Sequence, residues 1–156
     1  CLPSGKILFG LRARGDHWRT AKEVIQIVSF PFRIQKGRFE IGTESSLWFE
    51  AESIEVPESV GISGLEYDRF REHLYILFSF ELKGQRAGGY LGILPKGAST
   101  IILARDSTGS VHRFSRKPEG ITVLDRDRIL VVFDEDRVES AERKRHQAIF
   151  SIFRWR

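Results

Sequence analysis

Methionine is absent from this chain and cysteine occurs once, as Cys1. A lone thiol closes no disulfide within the chain, so the fold rests on its core, and the redox compartment stays open. The missing initiator has two explanations, trimming ahead of Cys1 or cutting from a longer product. No run of about 18 apolar residues is present, which predicts no membrane-spanning helix, and no signal peptide remains. The expectation is a soluble chain, periplasmic or secreted. Glycine-rich phosphate loops, G-x-S-x-G elbows and H-E-x-x-H pairs are all missing. Only 136–146 could form a helix, and its Ser140-Ala-Glu-Arg-Lys-Arg run is polar on every side, so a loop fits as well.

What is present is ordinary in amount and informative in order. With 41% apolar and 29% charged residues, 156 residues can bury a real core as one domain. The net charge of +4 comes from acids and bases that are interspersed, as on a solvated surface. Arg113 to Lys117, and Arg143 to His146 with Trp155, combine bases with aromatics. No nucleic-acid module surrounds them, which argues against a nucleic-acid partner. His73 and His112 lack ligand spacing to each other or to Cys1, which argues against zinc.

One unit recurs. Gly120-Ile-Thr-Val-Leu-Asp-Arg-Asp-Arg-Ile-Leu-Val-Val-Phe133 reads as strand, polar turn, strand. Gly64-Leu-Glu-Tyr-Asp-Arg-Phe-Arg-Glu-His-Leu-Tyr-Ile-Leu-Phe78 repeats it with one more turn residue. Leu2 to Arg12 aligns without a gap on Leu124 to Asp134, so the first strand at the start of the chain corresponds to a second strand. The two glycines stand 56 residues apart, the length of a four-stranded propeller blade with a long loop. The pattern predicts an all-β fold of antiparallel blades, about three in this chain: 1–54, 58–107 and 110–156. Strands are expected over 6–14, 23–33, 38–41, 46–50, 61–67, 73–81, 88–94, 99–105, 119–124, 128–134 and 146–155. Residues 110–115 form a connecting or outer strand. Closed propellers use about four to eight blades. Three should therefore need completing by the remainder of the same propeller, the favoured reading, by a second copy, or by an unrelated partner.

Ser63-Gly-Leu-Glu-Tyr-Asp68, His73-Leu-Tyr-Ile-Leu77, Gly88-Gly-Tyr-Leu91 and Lys117-Pro-Glu-Gly120 resemble bacterial β-propeller proteins related to the esterase-like phytases and to uncharacterised propeller families. That resemblance covers most of the chain. It implies a site at the tunnel rim, where innermost strands start and second strands end. Lys117, Glu119 and Ser63 then stand at strand starts, and Arg12, Arg14, Glu81, Lys83, Asp134 and Asp136 at strand ends, with His17 and Arg19 in a loop beside them.

Glu119 is the first candidate for a catalytic base or metal ligand; its alternative is an ion pair with Lys117 or a backbone cap. Asp134 and Asp136 are hard oxygen donors for Ca or Mg, or else a solvated acidic loop. Arg12, Arg14, His17, Glu81 and Lys117 are candidates for ligand binding. The arginine forks match phosphate or carboxylate, or pair with Asp16. Cys1 could be a nucleophile using its own amine, but the required helix–sheet scaffold is missing. An acylated Cys1 would leave almost no tether before Lys6, so a cut boundary is preferred. Two functions remain: a propeller binding a small polar or anionic ligand or a protein at its rim, and a metal-dependent ester or phosphate-ester hydrolase similar to esterase-like phytases.

Overall fold

The structure, a computed structural model, describes residues 2–15, 22–82, 86–134 and 148–155. All regular structure among them is β-strand, in three antiparallel sheets, none closed on itself. The first sheet contains β1 (Lys6–Arg14), β2 (Lys22–Gln35), β3 (Arg38–Ile41) and β4 (Ser46–Ala51). β2 is central, with β1 on one edge and β3 and β4 on the other. It turns into β3 through Lys36 and Gly37, both at positive φ (50° and 74°). Two such residues make the hairpin turn whose twist matches that of the strands. β2 runs past Pro31, which faces Lys6 at the first residue of β1, where a missing N–H costs little.

The second sheet follows the order β5 (Gly61–Asp68), β6 (His73–Leu82), β7 (Arg86–Pro95), β8 (Ile102–Leu103). β9 (Arg113–Phe114) also pairs with β7, nearer the start of that strand than β8. The two pieces form one interrupted edge, because the Arg105–Val111 bridge closes a side hairpin between them. Asp106 holds that hairpin by accepting from the backbone N–H of Thr108 and Ser110. Residues 113–114, expected beyond the second unit, therefore belong to the middle sheet. The third sheet is β10 (Lys117–Val123), β11 (Arg128–Asp134) and β12 (Ile149–Arg154).

The middle sheet is buried on both faces, which explains the nearly unbroken apolar run of β6. Strand alternation sends Leu74, Ile76, Phe78 and Phe80 towards the first sheet, where they join one cluster with its Ile25 and Ile27 and with Ile62 of β5. Tyr75 and Leu77 face the third sheet and pack with Ile129, Val131 and Phe133. Glycines permit the contacts between sheets. A Cβ on Gly10 would lie 2.2 Å from Ile62 of β5, and one on Gly89 would lie 2.6 Å from Pro118 of β10.

The three strands β1, β6 and β11, aligned by sequence, share one facing. Aligned on β6 and β11, β1 presents Leu8 and Gly10 to the middle sheet and turns Ile7, Phe9 and Leu11 away. β11 presents Ile129, Val131 and Phe133 to the middle sheet and turns Leu130 and Val132 away. β5 and β10 share a further feature. The pairing register slips at Ser63 in one and at Glu119 in the other, so each strand carries an extra residue just before its aligned glycine, Gly64 or Gly120.

A charged cluster at one end of the three sheets

The two bulges meet. Ser63 Oγ donates to the Pro118 carbonyl at 2.7 Å, joining the bulge of β5 to the residue beside that of β10. A bulge re-aims the side chain it carries, and that of Glu119 meets Lys117. Lys117 Nζ lies 2.6 Å from Glu119 Oε1, 3.0 Å from Glu81 Oε1 and 4.0 Å from Asp134 Oδ2. Arg12, at the end of β1, reaches Glu81 at 3.8 Å. A Cβ on Gly61 would lie 2.5 Å from the Arg12 side chain, so only glycine lets the arginine cross β5 here.

Five of the residues expected at a rim are thus gathered at one end of the strands, from all three sheets: Arg12, Glu81, Lys117, Glu119 and Asp134. Lys117 is the hub, 14% exposed, whereas its carboxylate partners are 29–36% exposed and Arg12 is 45% exposed. Arg14 is exposed two residues beyond Arg12 on the same strand. His17, Arg19, Lys83, Asp136 and Cys1, and the segment 136–146, lie outside the described residues.

The electrostatics define what this cluster can do. Burial acts against the Lys117 ammonium, but hydrogen bonds to Glu119 and Glu81 outweigh it and raise the pKa above the ordinary lysine value. Lys117 therefore stays charged at neutral pH and is neither a base nor an amine nucleophile. Its ammonium lies within 4.0 Å of three carboxylates, where a cation bound by Glu119 and Asp134 would also have to sit. Among the described residues, no group of three or more His, Cys, Asp or Glu is arranged to hold a metal ion. The five side chains carry three negative and two positive charges, and Arg14 brings the balance to zero.

A neighbouring trio escaped the sequence reading. Glu58 pairs with Arg113 at 3.0 Å and accepts from the Tyr90 hydroxyl, and the Arg113 guanidinium lies 5.0 Å over the Phe80 ring. Burial, then the Glu58 carboxylate, pushes the Tyr90 phenol up to about 12. Glu58 stands outside any strand, so no periodicity marks it; Tyr90 lies within the Gly88-Gly-Tyr-Leu motif, which does. Of the basic–aromatic residues, Trp155 stacks on Tyr75 at 5.6 Å, and Arg143 to His146 lie outside the described residues. The His112 ring packs edge-on against Phe114 and Phe153. No helix among the described residues is long and apolar enough to cross a membrane.

No family model matches this chain, and neither a curated protein nor a solved structure is similar to it by comparison.

Proposed function

We propose that the three sheets are consecutive blades of a β-propeller and that the Lys117 end is its rim, where a small anionic ligand binds. The observation that carries this reading is the convergence of Arg12, Glu81, Lys117, Glu119 and Asp134 from three sheets at one end. The common facing of β1, β6 and β11 supports the blade assignment. Arg12 and Arg14 supply exposed guanidinium forks, which bind phosphate or carboxylate in two-pronged fashion. The carboxylates around Lys117 hold the ammonium in place and accept from ligand hydroxyls. The alternative, hydrolysis of an ester or phosphate ester with Ca or Mg on Glu119 and Asp134, requires the metal to displace the Lys117 ammonium, which disfavours it.

The test is calorimetric titration with inorganic phosphate and citrate, alongside hydrolysis of p-nitrophenyl phosphate in Ca²⁺ or Mg²⁺. Binding is expected for wild type, with at least about a tenfold loss in Arg12→Ala/Arg14→Ala, the scale of losing charge-assisted hydrogen bonds. Arg126→Ala, in the turn at the far end, should bind normally. No binding of either anion would overturn the proposal. Metal-dependent turnover lost in Glu119→Gln would replace it with the hydrolase.

A further inference from the structure

The stack has an apolar face at each end that no described residue covers. On the first sheet, alternation puts Phe9, Val28, Phe30 and Leu47 on one side, continuing into Phe32, Ile34, Phe39 and Ile41 of the β2–β3 hairpin. Phe9 packs edge-on against Phe30, yet remains 41% exposed, and Ile34 is 68% exposed. On the third sheet, Leu130 pairs with Ile152 and Val132 with Phe150. Phe150 and Ile152 are 57% and 51% exposed. None of these side chains belongs to either core cluster. Such broad apolar surfaces mark interaction sites.

The two faces are not alike, and the repeat says how they differ. In the middle sheet the set Leu74, Ile76 and Phe78 is covered by the preceding sheet, and the set Tyr75 and Leu77 by the following one. The uncovered face of the first sheet carries Ile7, Phe9 and Leu11, the counterparts of Leu74, Ile76 and Phe78. The uncovered face of the third sheet carries Leu130 and Val132, the counterparts of Tyr75 and Leu77. Each end thus lacks the kind of neighbour that the other end resembles. One chain holds both halves of an interface that it already builds twice internally.

We infer that a second copy of this chain covers both faces, third sheet on first sheet in each direction, giving a two-fold ring of six sheets. Contacts of head-to-tail type close when the rotation brings the last face back to the first, and six lies within the propeller range. The inference rests on the blade reading proposed above; anion binding at Arg12 is measured separately, so the two can fail independently.

The test is native mass spectrometry and light scattering at micromolar protein, on wild type and on Phe9→Asp, Phe150→Asp and an equimolar mixture of the two, with circular dichroism to verify folding. Wild type is expected at twice 18.0 kDa, and each variant should associate at least about tenfold more weakly, as for a central aromatic anchor. Mixing the variants restores one intact interface and should recover mixed dimers. Three results would overturn the inference. A folded wild-type monomer would show that no second copy covers the faces. A dimer broken by only one variant would mean a face paired with itself. A complex with a different polypeptide would make that chain the occupant.

Discussion

The two ends of the β5–β6 hairpin carry polar networks of opposite character. At the turn, Asp68 is 1% exposed and every partner is local. Its Oδ1 accepts from the backbone N–H of Phe70 and Arg71 at 2.7 and 3.2 Å, and its Oδ2 accepts from the Tyr75 hydroxyl at 3.2 Å. Arg71 then reaches Asp127 in the turn of the third sheet. At the other end, the Lys117 cluster joins residues distant in sequence, and most of its side chains remain open to water. A buried carboxylate with both oxygens accepting fixes the turn around it; charges left partly solvated at a convergence of strands can exchange partners with a ligand. The first network builds the hairpin and the second offers a surface.

Substitution should separate the two ends most sharply. Asp68→Ala strands three donors in a buried site and should cost about 3 kcal/mol in denaturant unfolding. Glu119→Gln, at a partly exposed ion pair, should change stability by less than about 1 kcal/mol. Equal effects would erase the distinction. Next in size, Tyr75→Phe leaves Asp68 Oδ2 without its hydroxyl donor and should cost about 1 kcal/mol.

Alkaline pH probes the Asp68 end in another way. Burial first, then the charge and hydrogen bond of Asp68, pushes the Tyr75 phenol up from 10.0 to about 12. Between those values the folded chain holds a proton that the unfolded chain has released, so stability falls as pH rises through this window and is full below it. Urea unfolding followed from pH 9 to 12 should show that decline, and Tyr75→Phe should make it shallower, with Tyr90 keeping its own share; an unchanged slope would contradict the assignment. The smallest effect concerns the hub. Lys117→Ala leaves Glu81, Glu119 and Asp134 facing one another without the ammonium, a set of hard oxygen donors. Millimolar Ca²⁺ should raise the melting temperature of the variant by a few degrees through preferential binding to the folded state, and that of wild type by less. Equal shifts would mean that Lys117 does not occupy the cation position.

Much of this organisation is legible in the chain because each sheet repeats the same alternation. Gly64 and Gly120 open matching strands, and the run His73 to Phe80 is apolar on both parities because sheets cover it from both sides. The gathering of Arg12, Glu81, Lys117, Glu119 and Asp134 follows from strand ends falling at one level. The Glu119–Lys117 pair is legible from the sequence, and the structure shows it. The bulge that carries Glu119 and the approach of Glu81 and Asp134 to the same ammonium show only in pairing register and tertiary contact. The split outer edge of the middle sheet was hidden for a related reason: Asp106 and Gly109 mark a turn but do not say that the strand resumes on the same edge. Glu58 acts through tertiary contact alone, and no local pattern announces it.

The central claim is that the Lys117 end is the ligand-facing end and the Asp68 end a structural support, separated by the length of β10, about 20 Å for seven residues at about 3.3 Å each. Hydrogen–deuterium exchange with and without saturating phosphate tests this most directly. The account predicts added protection in β1 around Arg12 and at the start of β10, with none at the Asp68 turn. Protection centred on the Asp68 turn, or unchanged exchange at both ends, would contradict it.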